Sequence, residues 1–211
     1  MEDKTKKNKW YVLILCFSIY TGAIIIQNIL ASKQIDIWIF TMTTGVLISP
    51  LIFIIQDVVS DLFGFKTARN MILLGFGMNL LAVLLFTVAI YIPGSQFWFN
   101  QQSFSIILGT TFRISCASFV AYLIGSLCNT KIMTVLKNKY PNNLFVRAIT
   151  STVVGQFLDN AVFSLVAFIG VLPFNAILTM IFGATIFEIL YEICFYPLTK
   201  LIIKKIEKIM R

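Results

Sequence analysis

The sequence predicts an all-α, polytopic membrane protein with six transmembrane helices. Of its 211 residues, 58% are hydrophobic and only 12% are charged, whereas soluble domains carry roughly 25% charged residues. The mean hydropathy is +0.88. A soluble fold of this size lacks the polar coat it would need, and disordered chains are poor in apolar residues. Both of those classes are therefore excluded.

Six apolar segments supply the predicted spans. Each holds about the 20 residues that a helix needs to cross the hydrocarbon core. The predicted spans are residues 10–31, 43–63, 70–92, 104–128, 148–171 and 174–203. We expect residues 1–211 to form one transmembrane domain. The first segment is too long for the apolar region of a signal peptide and lacks a good cleavage site, so we expect it to remain as an uncleaved helix.

The basic residues predict the orientation of these spans. Fifteen of the 17 Lys and Arg residues lie in the two termini or in the connections that follow the second and fourth segments. The alternate connections hold only Lys33, and Arg113 falls inside a span. Positive charge accumulates on the cytoplasmic side of membrane proteins. Both termini are therefore predicted to be cytoplasmic, in a multi-pass protein of the cytoplasmic (inner) membrane.

Several chemistries are excluded by residues that the sequence lacks. It has no histidine, and none of its four cysteines forms a C-x-x-C pair, so we predict no metal, no cofactor and no enzymatic activity. The net charge of +8 comes without the interleaved aromatic residues of a nucleic-acid surface, so no nucleic-acid partner is expected. A phosphate-binding G-x-x-x-x-G-K-[ST] loop is absent, which excludes ATP hydrolysis by that route.

Small residues predict where helices pack closely. Ala117, Ala121 and Gly125 recur every four residues in the fourth span, and Ser151 and Gly155 do so in the fifth. Such stripes let helix backbones approach each other in lipid. They predict packing within the chain, with the face of a homodimer as the alternative.

Pro50 lies in the interior of the second predicted span. Because proline removes a helical hydrogen bond, we expect it to kink that helix and to free a carbonyl group.

The ionisable residues inside the spans are the candidates for function. Asp or Arg at the centre of a membrane helix costs about 2.5–3.5 kcal/mol on insertion scales, so such residues normally face a bundle interior or a watery cavity. They are Asp57, Asp61, Arg113, Asp159, Glu188 and Glu192. A rise of about 1.5 Å per residue puts Arg113 and Asp159 near the midplane. Asp61 and Glu192 are expected near the cytoplasmic headgroups, exposed to water.

Spacing groups these side chains. Asp57 and Asp61 are four residues apart and share a helix face, as Glu188 and Glu192 do. Gln156, Asp159 and Asn160 project from one arc of the fifth span. Two interpretations stay open. The first is a polar substrate cavity that includes Arg113 and Asp159, and the second is an Arg113–Asp159 ion pair that only fixes helix packing.

The chemistry of such a cavity predicts its ligand class. Carboxylates accept hydrogen bonds in pairs, and amides donate and accept side by side. Together they match a flat heterocycle with adjacent N–H donors and a carbonyl group, such as a guanine-like base. The aromatic residues available to stack on its ring are Phe53, Phe119, Tyr122, Phe163 and Tyr191. An anionic substrate is less favoured, because Arg113 is the one cation deep within a predicted span that could receive it, Lys200 lying near the C-terminal end of the last span.

Three blocks of sequence resemble the queuosine precursor transporter family, which is grouped with vitamin-uptake-like transporters. The first has Asp57 followed by Asp61-Leu62-Phe63-Gly64 and Ala68-Arg69. The second is Arg113 with Ala117-Ser118-Phe119, and the third is Arg147 followed by Ser151-Thr152, Gly155-Gln156 and Asp159. Pro197 in the sixth span also fits the family. The family commonly has a basic residue where Glu188 stands, a departure that bears on which precursor is preferred.

The resemblance implies import of a 7-deazapurine (preQ0, preQ1 or queuine) for building queuosine into tRNA. It also implies a six-helix fold similar to the substrate-binding subunits of energy-coupling-factor transporters. On this basis Asp57, Arg113, Gln156 and Asp159 are the first candidates to line the site. The further candidates are Asn28, Tyr122, Asn160, Glu188 and Glu192.

Other functions stay open at this stage. One is a vitamin-binding subunit that needs a separate ATPase module. Less favoured are an intramembrane enzyme, in which paired aspartates act as a protease dyad, and a scaffolding membrane protein. The energy source of transport, the choice of precursor and the presence of a homodimer or an energy-coupling partner also stay open.

Overall fold

The computed structural model describes residues 2–38, 40–109, 112–170 and 173–210. Within these ranges, only the backbone is described for residues 2–7, 34, 36–37, 41, 112–115 and 209–210. The α-helices are α1 (Glu2–Leu30), α2 (Ser49–Phe63), α3 (Phe65–Tyr91), α4 (Gln101–Leu108), α5 (Phe112–Lys139), α6 (Leu144–Phe168) and α7 (Phe174–Met210). An antiparallel hairpin, β1 (Gln34–Ile37) and β2 (Phe40–Thr43), and a 3₁₀ turn (Thr44–Leu47) connect α1 to α2.

Five helical stretches are long and apolar enough to cross a membrane. They are Asn8–Leu30, Phe65–Tyr91, Cys116–Lys139, Leu144–Phe168 and Phe174–Lys208. Large apolar side chains on their outer faces are exposed, such as Leu84, Leu85 and Leu201, as expected of surfaces that contact lipid. The prediction of a helical, multi-pass membrane protein is thereby confirmed, while the sixth span and the orientation of the termini stay predictions.

The second predicted span, 43–63, is wrong in its first residues. Thr43 ends β2, residues 44–47 form the 3₁₀ turn, and α2 begins only at Ser49. Pro50 therefore stands in the first turn of α2 and not in a helix interior, so the predicted kink is wrong as well. Proline suits this position, because the first helical turn has no partner for the missing N–H group.

The fourth predicted span, 104–128, is not one continuous helix. It combines the end of α4, which stops at Leu108, with the first part of α5, which starts at Phe112 and continues to Lys139. Lys131, Lys137 and Lys139 made the chain beyond 128 look like a connection, but these side chains lie on the last three turns of a helix. Long basic side chains are tolerated there because their charged ends reach water.

Helix α2 occupies the centre of the bundle. It contacts α1, α3, α5 and α7, and residues 52–61 are all buried. Its neighbours Tyr20, Met71 and Ile72 belong to the same apolar core. The surrounding helices therefore separate the polar side chains of α2 from lipid, which explains how a short helix with two aspartates is accommodated.

Two glycines bring α5 and α6 into close contact. A Cβ added to Gly125 would lie 2.8 Å from the Gly155 carbonyl oxygen, and one added to Gly155 would lie 2.8 Å from the Asn129 Cβ. The predicted packing of these small-residue stripes within the chain is therefore confirmed. This crossing sets Asn129 and Asp159, one turn beyond each glycine, at the interface of the two helices.

Short connections join α2 to α3 and α5 to α6, so the chain reverses direction at each of them. Gly64, the single residue between α2 and α3, has a φ of 81°, a conformation that favours glycine. The C-terminus of α1, the β-hairpin and the start of α2 therefore meet at one end of the bundle, called the hairpin end below. The start of α1 and the end of α7 lie at the opposite end, called the terminal end.

Candidate functional site

A polar cavity of about 120 Å³ lies near the hairpin end of the bundle. Every long helix contributes to its wall, together with β2, the 3₁₀ turn and the start of α2. Its polar lining comprises Gln27, Asn28, Thr43, Ser49, Asn79, Ser118, Tyr122, Asp159, Asn160, Ser164 and Glu188. The wall joins groups far apart in the sequence, so only the folded bundle creates it.

Glu188 is held by hydrogen bonds from neighbouring elements. The Asn160 Nδ2 donates to Glu188 Oε2 at 2.8 Å and contacts Thr185 Oγ1 at 3.2 Å. The Ser49 hydroxyl also interacts with the Glu188 carboxylate. Glu188 and Asn160 are both buried. The carboxylate is thus fixed in position between α2, α6 and α7 at the cavity wall.

Ser49 connects this carboxylate to α1. Gln27 Nε2 donates to Ser49 Oγ at 2.8 Å, and Ser49 Oγ lies 3.3 Å from the carbonyl oxygen of Gly45. Because Ser49 has a single hydroxyl proton, it donates either to Gly45 or to Glu188. The lining around Ser49 can therefore rearrange its hydrogen bonds when a ligand engages Glu188.

Asp159 is the second carboxylate of the cavity. Its Oδ1 atom is buried and has no hydrogen-bond partner among the described residues, and its charge acts on Glu188. An acceptor left without a donor at a cavity wall is available to a ligand N–H group. Asn79 Oδ1, on α3, is a further buried oxygen without a described partner.

Aromatic side chains complete the wall. Tyr122 and Phe163 both line the cavity. The Tyr122 hydroxyl lies 3.5 Å from Gln56 Nε2, which also approaches Tyr20 and Ser126 at 3.1 and 3.2 Å. One face of the cavity is therefore anchored to the buried core of α2.

The structure brings five of the predicted site residues together. Asn28, Tyr122, Asp159, Asn160 and Glu188 line the cavity. Asp57, Gln156 and Glu192 do not line it, although they are buried. The side chain of Arg113 lies outside the described residues, and with it the predicted Arg113–Asp159 pair. The described part of the cavity lining contains two carboxylates and no lysine or arginine.

Three predicted stacking residues lie elsewhere. Phe53 is buried in the core, Phe119 packs edge-on against Phe76, and Tyr191 stacks on Phe195. Twenty phenylalanines in one chain make any single one more often a packing residue than a ligand platform.

The predicted exposure of Asp61 and Glu192 is wrong. Asp61 is only 8% exposed and forms an ion pair with the buried Arg147 at 2.6 Å and another with Lys137 at 3.5 Å. Glu192 is 1% exposed. Depth along a single helix failed as a guide here, because α6 and the extended α5 cover the terminal end of α2.

Several polar side chains of the cavity were not predicted from the sequence. They are Gln27, Ser49, Asn79 and Ser118, whose amides and hydroxyls are less unfavourable in a membrane helix than a charge and therefore give a weaker signal. An amide in an otherwise apolar membrane helix, such as Asn79 in α3, is a signal that the same reasoning could have used.

Among the described residues, no group of three or more His, Cys, Asp and Glu side chains is placed to hold a metal ion. The cavity therefore presents acceptors, amides and aromatic faces to a small polar molecule. Pockets of this kind, between the helices of a bundle, are ordinary ligand sites.

Comparison with known proteins agrees with this description. The sequence model of a family described as "putative vitamin uptake transporter" matches residues 43–202. A "probable queuosine precursor transporter" of Bacillus subtilis (strain 168) is 27% identical over 154 residues, which are 72% of this chain and 67% of the relative. No solved structure matches the chain. The matched region covers most of the cavity and all helices from α2 to α6. The chain therefore belongs to the vitamin uptake transporter family.

Proposed function

We propose that this protein imports a 7-deazapurine precursor of queuosine across the cytoplasmic membrane. The observation that carries the proposal is the pair of carboxylates, Asp159 and Glu188, facing one cavity among amide and aromatic side chains. A deazapurine of the guanine type presents adjacent N–H donors and a carbonyl acceptor on one edge. Carboxylates and amides satisfy both.

The charge of the cavity favours a cationic precursor. Its described lining has two carboxylates and no basic side chain, and an aminomethyl group on the ligand supplies a positive charge. Glu188 is already held by Asn160 and Ser49, so it is positioned for an ammonium group. Asp159 Oδ1, which lacks a described partner, is the candidate acceptor for the ring N–H groups. Tyr122 and Phe163 are the candidate aromatic faces for the ring.

The proposed topology has six crossings with both termini in the cytoplasm. Helix α2 has 15 residues and is about 22 Å long at 1.5 Å per residue, so we propose that the 3₁₀ turn and the hairpin complete its crossing. The cavity then opens towards the extracytoplasmic side. Fusing a reporter that is active only in the cytoplasm to each terminus tests this. Activity at both termini is the expected result, and activity at one terminus only contradicts the six-span topology.

Ligand-induced thermal stabilisation of the purified protein tests the proposed substrate. The panel comprises preQ0, preQ1, queuine, guanine, riboflavin and biotin. A ligand that binds only the folded state raises the melting temperature as its concentration exceeds Kd. We expect deazapurines alone to shift it. A shift with riboflavin or biotin alone, or with no compound, contradicts the proposal.

The variant Asp159→Asn tests whether the ligand binds in the cavity. Losing a charge-assisted hydrogen bond is expected to weaken deazapurine binding by about 1.5–3 kcal/mol. The matched control is Asn175→Asp, which places the reverse exchange on the exposed start of α7, outside the cavity. Unchanged affinity in a folded Asp159→Asn variant would remove Asp159 from the site.

A second candidate function is that of a vitamin-binding subunit driven by a separate ATPase. The family description and the absence of an ATP-binding loop from the sequence favour considering it. Purification in a mild detergent distinguishes the two. A co-purified membrane partner with ATPase subunits supports this candidate, and uptake by the reconstituted chain alone supports the first.

A further inference from the structure

A second group of carboxylates lies outside the cavity. Asp57 on α2 and Glu192 on α7 are 0% and 1% exposed, and neither lines the cavity. The charge of Glu192 acts on Asp57, as that of Asp61 does from the next turn of α2. Asp57 is eight residues, or about 12 Å, beyond Ser49 along α2, and Glu192 is four residues, or about 6 Å, beyond Glu188 along α7.

Two positive charges at this end of the bundle are paired with Asp61, and the Arg147 Nε atom is buried without a described hydrogen-bond partner. Arg147 binds Asp61 at 2.6 Å, and Lys137 forms a second ion pair with Asp61. Arg147 also acts on Asp57, and among the described side chains whose charge does so it is the only basic one. Two buried carboxylates therefore lack a described cation of their own.

The oxygens of this pair are also without donors. The described hydrogen bond of Asp57 is the one it accepts from Asn129 Nδ2 at 3.2 Å. Asp57 Oδ2 and both carboxylate oxygens of Glu192 are buried and have no described partner. A buried charge is stable only when it is paired or neutralised. Two such groups side by side cannot both be ionised without a bound cation.

Asn129 supplies an independent indication of a ligand. It is fully buried, and its Oδ1 has no hydrogen-bond partner among the described residues. Its Nδ2 contacts Asp57, so this free oxygen belongs to the same cluster. The cluster thus offers unpartnered oxygens from a carboxylate pair and an amide, the ligand type that hard cations prefer.

We infer that Asp57, Glu192 and Asn129 form a site for an exchangeable monovalent cation, a proton or Na⁺, that is separate from the substrate cavity. In the proton form the acid is shared between the two carboxylates, and release leaves one more negative charge. The role of this site is to couple uptake to the movement of the cation. That role rests on the proposed transport function, whereas the existence of the site does not.

The two sites share structural elements. Glu192 is one helical turn from Glu188 on α7, and Gln56, next to Asp57, contacts the cavity residue Tyr122. Gln156, one turn from Asn160 on α6, is buried with both amide atoms unpartnered, and its position along α6 lies between the two sites. A change of charge at the cation site can therefore alter α2 and α7 at the cavity wall, as a coupling between sites requires.

Infrared spectroscopy tests the site without any substrate. The purified full-length protein is titrated with acid and base in choline chloride and again in NaCl, and the carbonyl band of protonated carboxylic acids is recorded. We expect this band to lose intensity in both Asp57→Asn and Glu192→Gln, and to be unchanged in Glu207→Gln, an exposed glutamate on α7. A band that responds to pH alone identifies the proton, and a band that disappears when NaCl replaces choline chloride identifies Na⁺.

Equal band intensity in the wild type and in both variants, at every pH and in both salts, overturns the inference. Each variant exchanges a carboxylate for an amide of the same shape, so the fold is expected to persist. Asn129→Leu provides a further variant that retains both carboxylates. It is expected to change the midpoint of the titration by removing the bond to Asp57.

Proteoliposomes test the coupling. Accumulation of labelled preQ1 is measured under an inward gradient of protons or of Na⁺, and substrate exchange is measured without a gradient. The variants Asp57→Asn and Glu192→Gln should lose at least tenfold of the gradient-driven accumulation and should retain exchange. Retained accumulation in both variants contradicts the coupling role. Absence of deazapurine exchange in the wild type contradicts the proposed function instead, and the infrared result then still decides the cation site.

Discussion

Gly125 on α5 lies directly against Asp159 on α6. A Cβ added to Gly125 would come within 2.7 Å of the Asp159 Cβ and 3.3 Å of its Cα. The absence of a side chain at position 125 thus determines how closely the cavity carboxylate approaches α5. The same helix carries Ser118 and Tyr122 of the cavity, so this contact sets the distance between two of its walls.

We therefore expect Gly125→Ala to damage both the fold and the site. Overpacking a close contact costs about 1–3 kcal/mol, and the displaced Asp159 should reduce ligand affinity at the same time. The melting temperature in detergent and the ligand-induced shift measure the two effects. Gly77→Ala on α3 is the matched control, because a Cβ there would meet no atom within 4 Å. Equal stability of the two variants would show that α5 and α6 can separate without penalty.

The sequence predicted the helical membrane fold because its signals are local. Apolar length identifies α1, α3, α6 and α7, with helix ends that differ from the predicted ones by up to eight residues. The small-residue stripes correctly indicated the α5–α6 contact. The break between α4 and α5 and the late start of α2 were missed. In both places the break falls inside a segment whose average hydropathy is high, and average hydropathy alone does not distinguish a continuous helix from an interrupted one.

The site was predictable only in part. Asp159, Asn160 and Glu188 were found because their polarity is unfavourable in lipid. The sequence did not predict which carboxylates have a basic partner and which do not, since that depends on which helices face each other. Asp61 faces Arg147 while Asp57 faces Asn129, and nothing in the spacing of α2 distinguishes these two partners.

Glu188→Gln should change the preference among ligands. The variant retains an oxygen for Asn160 but removes the charge that we assign to recognition of an aminomethyl group. We expect affinity for preQ1 to fall about 10- to 100-fold, since a charged hydrogen bond contributes about 1.5–3 kcal/mol. Affinity for preQ0, which lacks the aminomethyl group, should change much less. Calorimetric or thermal-shift titration of both ligands measures the ratio.

Glu207→Gln, the same exchange at an exposed position of α7, is the control for Glu188→Gln and should change neither affinity. An equal loss for preQ1 and preQ0 in Glu188→Gln would mean that Glu188 shapes the cavity and does not read the ligand charge.

Arg147→Met should destabilise the terminal end of the bundle. Removing one partner of a buried ion pair typically costs about 3–5 kcal/mol, because the remaining charge is left uncompensated. Lys137→Met is the comparison. It removes the other partner of Asp61, a lysine whose side chain is 46% exposed, and exposed ion pairs contribute about 0–1 kcal/mol. Unfolding in a denaturing detergent compares the two variants. The double variant Arg147→Met, Asp61→Asn should recover part of the loss. A lack of recovery would assign the effect to packing of the arginine stem.

The hairpin is expected to act as the barrier between the cavity and the solution. Phe40 on β2 packs against Gly183 of α7, and the neighbouring Met42 and Thr43 line the cavity. Phe40→Ala removes the ring that attaches the hairpin to α7. The test uses a protein in which the native cysteines are replaced and Ser118→Cys is introduced in the cavity wall. In this protein we expect a water-soluble thiol reagent to label position 118 several-fold faster when Phe40→Ala is present than when it is absent. Trp38→Ala in the same hairpin is the control, since Trp38 is 95% exposed and should leave the rate unchanged. If Phe40→Ala and Trp38→Ala are labelled at the same rate, the reagent enters the cavity by a path that does not cross the hairpin.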